Sequence, residues 1–155
     1  SRTVESKRMV RKSNSGIEFF TTQVLYDSDD ICKMLGHYSE LCRVDKLIPK
    51  RVLLSFAPIS TKKNLDFLKW LGVEIPSETE AYLIEDNKET KGRSIEVSLG
   101  VLEDILNYIS KHEIVIPIGL NVEHIMTYNF EHSVELLQKM SKRYRSYCMS
   151  SSLSF

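Results

Sequence analysis

Four short stretches carry side chains able to hold a polar ligand. The run "IEFFTTQ" (17–23) has the β-branched and aromatic content of a strand and closes on Gln23. That amide offers a donor and an acceptor, either to a polar heterocycle or to a neighbouring loop backbone. In "SFAPISTKKNLDFL" (55–68) a strand ends at Pro58, Asn64 falls in the first turn of the next helix, and Leu68 lies one turn on along the same face. On residue type alone, Asn64 is a helix-start amide and Leu68 is ordinary core. In "HIMTYNFEH" (124–132), Thr127, Tyr128 and Asn129 close a further strand, and Asn129 also suits the cap of the helix that follows. Near the start, Glu5, Arg8 and Lys12 recur at i, i+3 and i+7 and share one helix face. The plainest account of that face is a solvated stripe with an ion pair worth about 0.2–0.5 kcal/mol.

Elements of alternating type must position these groups. The segment "SRTVESKRMVRKS" is helical, stopped by Ser13-Asn14-Ser15-Gly16. Ser28 precedes Asp29 and Asp30, an N-cap followed by acids that suit the helix dipole, and Ile31, Met34, Leu35, Tyr38, Leu41 and Cys42 form a 3.6-residue stripe. The unit repeats with "KRVLLSFAP", a cap at Ser60 or Thr61, Leu65, Leu68 and Leu71, and a stop at Gly72. A very short strand is expected in "GVEIP". Two helices follow, the second built on Leu102, Ile105, Leu106 and Ile109. The strand in "VIPIGLNVEHIMTYN" and a closing helix with Val134, Leu137 and Met140 inward complete the series. A helix and four βα units define an α/β fold with a parallel sheet, and the absence of polar alternation in the strands fits cover on both faces. Periodicity leaves open whether this is a small open sheet or half of an eight-stranded barrel. In both, ligands collect at the carboxyl ends of the strands.

Composition restricts the partners. The 155 residues balance 21 basic against 21 acidic groups, so no overall field draws the chain to nucleic acid or an anionic membrane. Cys32, Cys42 and Cys148 make no CxxC pair, which points to reduced thiols in a cytoplasmic setting and to no metal site. Apolar runs fall short of the roughly 20 residues of a membrane span. The expected division is a domain over 1–145 and a disordered Ser-rich tail over 146–155.

Taken together, "FFTTQVLYD", "SFAPISTKKNLDFLKWLGVEIP" and "GLNVEHIMTYNFEHSVELLQKM" resemble the C-terminal half of the methylenetetrahydrofolate reductase family, flavoproteins built as a TIM-type (β/α)8 barrel. The likeness runs from about Glu5 to Tyr144 and rests on the order and spacing of the motifs. It implies half of such a barrel, with the other half supplied by the same or another chain, and an oligomer. It implies that Gln23 bonds the pterin of a folate, that Asn64 takes the place of a folate-contacting glutamine, and that Leu68 replaces an aromatic packed on the folate. Tyr128, on the same rim, joins this substrate-binding set. Glu5, Arg8 and Lys12 then hold the ribose and phosphates of FAD.

The implied reaction is reduction of a folate-type methylene group to methyl by hydride transfer from NADH or NADPH through the flavin, within one-carbon metabolism and methionine biosynthesis. No catalytic residue is assigned here, because the family's proton-donating glutamate and flavin-side aspartate belong to N-terminal strands. The chain alone is therefore expected to be inactive. Phe130 stands where the family has an arginine, and Leu68 has no aromatic face, so a modified pterin is compatible. Two other readings compete: a half barrel that binds a pterin or nucleotide without catalysis, and an unrelated interaction module whose basic first helix (Arg2, Lys7, Arg8, Arg11, Lys12) meets an acidic partner or nucleic acid.

Overall fold

A computed structural model describes residues 2–152, with side chains from residue 4 to residue 151. Helix α1 (Arg2–Asn14) leads to strand β1 (Phe19–Val24), helix α2 (Asp29–Val44) and strand β2 (Arg51–Phe56). Helices α3 (Lys62–Trp70), α4 (Ser77–Ile84) and α5 (Thr90–Lys111) then precede strand β3 (Ile118–Val122), a 3₁₀ turn (Thr127–Asn129) and helix α6 (Phe130–Ser152). The strands form one parallel sheet in the order β1-β2-β3. No described helix is long and apolar enough to cross a membrane.

Among the described residues the sheet has three strands where four were expected. Val73 gives its N–H to the Leu68 carbonyl (3.0 Å), closing the end of α3 while its side chain packs in a core. Pro76 has no N–H to give a ladder. The five-residue "GVEIP" is therefore used up as a helix stop and connector.

Local signals elsewhere act as their chemistry requires. Gly16 (φ 94°) and Gly72 (φ 85°) take the left-handed conformation that ends α1 and α3. Thr61, and not Ser60, caps α3, accepting from the Asn64 N–H at 3.3 Å. Ser28 precedes α2 but donates its hydroxyl to Asp104 Oδ2 (3.4 Å), so it makes no side-chain cap.

The larger core lies between the sheet and helices α1, α2, α5 and α6. Val52, Leu54 and Phe56 alternate onto it from β2, each fully buried, against Leu35 and Tyr38 of α2, Leu102, Ile105 and Leu106 of α5, and Met140 of α6. A smaller cluster under α3 and α4 gathers Val24, Tyr26, Ile59, Leu65, Leu68 and Leu83. The opposite sheet face, carrying Thr21, Leu53 and Gly119 in register, has no helix packed on it among the described residues. Two-sided cover is thus realised on one side only.

In α6 the inward stripe is Ser133, Leu136 and Met140, and Leu137 turns outward at 44 % exposure. Leu136 and Met140 are one turn apart, and 137 falls about 100° away from 136 on the helix. Helix α6 runs on through residues 146–152 of the Ser-rich segment. Ser146 and Ser150 satisfy their hydroxyls on the carbonyls of Lys142 and Ser146. Residues 153–155 lie outside the described residues.

Burial, and then the carboxylates of Asp104, Asp29 and Asp27, push the Cys32 thiol up to about 11, so it stays protonated at neutral pH. Tyr38 joins three elements. Its hydroxyl accepts from the Lys50 N–H (3.0 Å) ahead of β2 and bonds Ser13 of α1 (3.0 Å). Ser13 spends its own proton on the Met9 carbonyl (2.9 Å), so Tyr38 is the donor to it. Tyr38→Phe keeps the ring but strands a backbone N–H, and urea unfolding is expected to show a loss of about 1–3 kcal/mol; an unchanged midpoint would remove Tyr38 from this role.

Candidate functional site

The carboxyl ends of the strands are drawn together by four successive carbonyls at the end of β2 and just beyond it. Ser55 O accepts from Leu25 N (2.9 Å) and Phe56 O from Glu123 N (2.8 Å). Ala57 O accepts from the Tyr26 hydroxyl (2.7 Å), and Pro58 O from Asn129 Nδ2 (3.5 Å). The grip alternates between the extension of β1 and that of β3. Burial pushes the Tyr26 phenol well above its ordinary range, so it remains a neutral donor.

Gln23 sits where β1 is irregular. The register slips between Thr21 and Val24, and the Ser55 N–H bonds Thr22 Oγ1 (2.9 Å). Gln23 is exposed. Its Oε1 accepts from its neighbour Val24 N (3.1 Å), and its Nε2 donates to Leu71 O (3.3 Å) at the end of α3. The amide thus makes the loop-backbone contacts that residue type allowed, while lining two recesses. One, of about 390 Å³, brings Gln23, Thr21 and Thr22 together with Glu5 and Lys12 of α1 and Asp30 and Met34 of α2. The other, of about 780 Å³, runs from Gln23 past Asp27 to Lys69 and the connector 72–76. Both lie within the usual size of ligand clefts.

The three residues of α1 stay together. Arg8 pairs with Glu5 at 3.2 Å, both about half exposed, and a shallow recess of about 540 Å³ continues past Arg8, Arg11 and Lys12. Lys12 makes no ion pair among the described residues.

Asn64 is not presented to these recesses. It is 3 % exposed, and its side chain contacts Ser60, Tyr128 and Asn129. Its Oδ1 accepts from Ser60 N (3.1 Å) and Asn129 Nδ2 (3.1 Å), and its Nδ2 donates to the Tyr128 hydroxyl (2.6 Å). Ser60 Oγ lies 2.8 Å from Asn129 Oδ1 and 3.2 Å from Asn64 Oδ1. Leu68 is 1 % exposed within the smaller core, so no face of it is open to a ligand. Tyr128 is 61 % exposed, beside Phe130 at 59 %.

Sequence reasoning missed Ser60 and Asn129 as network members, and also Ser55 and Asn121. Asn121 Nδ2 reaches Ser55 Oγ and Glu123 Oε1, both at 3.1 Å, at the ends of β2 and β3. The available signal was the clustering of small polar residues after apolar runs.

Parallel strands, each with a helix before or after it, and polar groups gathered at their carboxyl ends, define a segment of a TIM-type β/α barrel. The sequence profile described as methylenetetrahydrofolate reductase matches residues 1–142, and the chain belongs to that family. Among solved structures, an uncharacterised protein from Clostridium thermocellum that binds two copies of 5-methyl-5,6,7,8-tetrahydrofolic acid is similar over 89 % of this chain, with 26 % identity and a TM-score of 0.77. The matched region is 48 % of that protein, so this chain spans about half its length. No curated protein matches the chain.

The Asn64–Asn129 pair makes a stability prediction. Asn129→Ala removes two donors and an acceptor from a dry cluster and is expected to cost about 2–3 kcal/mol in urea unfolding. Ser60→Ala keeps the Ser60 N–H bond and is expected to cost less. Equal losses for the two would show that Asn129 is not the hub.

Proposed function

We propose that this chain forms the ligand-facing half of a flavin-dependent oxidoreductase that reduces the methylene group of a folate-type pterin to methyl, with NADH or NADPH as electron donor. Family membership and the methyl-folate bound by the solved neighbour support the substrate class. The observation that carries the reading is the groove in which Gln23 of β1 meets Glu5 and Lys12 of α1. It puts a two-way amide beside a cation and a carboxylate.

The donor set fits FAD. Lys12, with Arg8 and Arg11 along the same recess, supplies positive charge for a diphosphate, and Glu5 supplies an acceptor for ribose hydroxyls. When bound, the flavin would relay a hydride from the nicotinamide to the folate methylene carbon. Gln23 orients the pterin. Its bonds to Leu71 O and Val24 N sit at an exposed position, where exchange for ligand bonds costs little. Tyr128 stands at the far rim, with Asn64 behind it and Leu68 as the packed floor of α3. The proton that accompanies reduction comes from a group outside these residues, contributed by the other half of the barrel in the same or another chain. The chain alone then binds flavin poorly and reduces no folate.

A folate-binding module without catalysis is the second reading. It is favoured by the description of the solved neighbour, which is one of binding alone.

Two variants test these readings in the complete protein. Gln23→Leu is expected to slow folate oxidation of the reduced flavin about tenfold or more while leaving flavin reduction near its normal rate, measured by stopped flow. Equal losses in both half-reactions would sink the pterin assignment. Lys12→Glu is expected to raise the flavin dissociation constant by about tenfold or more in a fluorescence titration. Absence of flavin binding in the parent protein, with folate binding retained, would select the second reading.

A further inference from the structure

The cluster behind Tyr128 has a direction, and that direction is set by groups whose roles are not ambiguous. A backbone N–H only donates, so the Ser60 N–H at 3.1 Å makes the near atom of the Asn64 amide its oxygen. A backbone carbonyl only accepts, so Pro58 O at 3.5 Å makes the near atom of the Asn129 amide its nitrogen. Asn129 Nδ2 then also donates to Asn64 Oδ1, whose two lone pairs are filled. Ser60 Oγ has one proton, and Asn129 Oδ1 takes it at 2.8 Å. With its oxygen turned to Ser60, Asn64 presents its nitrogen to Tyr128 and donates to the phenol at 2.6 Å.

A phenol O–H lies near the plane of its ring because the oxygen is conjugated with it. That plane offers two positions at the oxygen, one for the proton and one for a lone pair. Asn64 occupies the lone-pair position, so the proton of Tyr128 points the other way. Among the described residues no acceptor receives it, and Tyr128 is exposed.

We propose that Tyr128 contacts the ligand at this corner of the site, donating its proton to a carbonyl or carboxylate oxygen, and that Asn64 and Asn129 are positioning residues that fix that donation. The inference rests on the folate reading above, and moves the contact expected of the α3 amide out to the phenol. Asn64 has its acceptor capacity filled and is 3 % exposed, so it reaches a ligand through Tyr128. The corner therefore selects acceptor oxygens, and a ligand presenting an N–H there loses the bond.

The test is calorimetric titration of 5-methyltetrahydrofolate into the complete protein, both halves of the barrel present, with Tm recorded on the same samples. Tyr128→Phe is expected to weaken binding about tenfold. Asn64→Asp keeps the size and the bond to Ser60 N, but its second oxygen accepts from Tyr128 and turns the proton inward; a similar loss is expected with the phenol still present. The double variant is expected to lose little beyond Tyr128→Phe, whereas simple charge repulsion by the new carboxylate would persist in that background. Unchanged affinity in Tyr128→Phe, even with a lowered Tm, overturns the proposal and leaves the folate reading standing. If Asn64→Asp does not fold, Tyr128→Phe decides alone, because water can reach the vacated hydroxyl position. A parent protein that binds no 5-methyltetrahydrofolate overturns the folate reading and this proposal with it.

Discussion

The arrangement depends on the backbone at the end of β2, where the carbonyls of Ser55, Phe56, Ala57 and Pro58 hold the chain after β1 and the chain after β3 by turns. β2 is the strand with a neighbour on each side, and its inward residues Val52, Leu54 and Phe56 have no exposed surface. A rigid central strand therefore fixes both rims at once. Successive carbonyls of an extended chain point to opposite sides, so the alternation between rims is a property of strand geometry. What varies is the donor. Two are backbone amides and two are side chains, Tyr26 and Asn129, recruited where the ladders have ended.

That shift from ladder to side chain explains which parts of the structure were legible in the sequence. The order of strand and helix, the stops at Gly16 and Gly72, and the buried stripes of α2 and α5 follow from period, positive φ and apolar spacing, all local properties. The missing strand at 73–76 was not legible, because the choice of Val73 N–H between a ladder and the end of α3 depends on where β2 lies. Leu136 and Leu137 are adjacent leucines, and only the docking of α6 decides which faces inward. The site divides in the same way. Glu5, Arg8 and Lys12 share a face by helical period, and the structure keeps them together. Asn64 was placed on its helix correctly, but its burial depends on Asn129, 65 residues away. Position on an element is local information, and orientation toward a partner is not.

The bulge in β1 connects these levels. A regular strand would alternate Gln23 strictly against its neighbours, with its amide committed to one face. The slip after Thr21, held by Thr22 on the Ser55 amide, lets the Gln23 side chain fold back on Val24 N and reach Leu71 O. The side chain at the strand end thus borders both grooves.

The two ends of the site are built from different interactions. The Ser60–Asn64–Asn129 cluster is made of two buried amides and a hydroxyl, without formal charge. The face of α1 is made of exposed ions, Glu5, Arg8, Arg11 and Lys12. Mobile ions screen exposed charges within about 8–10 Å at ordinary ionic strength and leave buried dipoles almost untouched. Added salt therefore acts as a selective solvent for this protein, loosening whatever is held along α1 while the rim at Tyr128 keeps its shape.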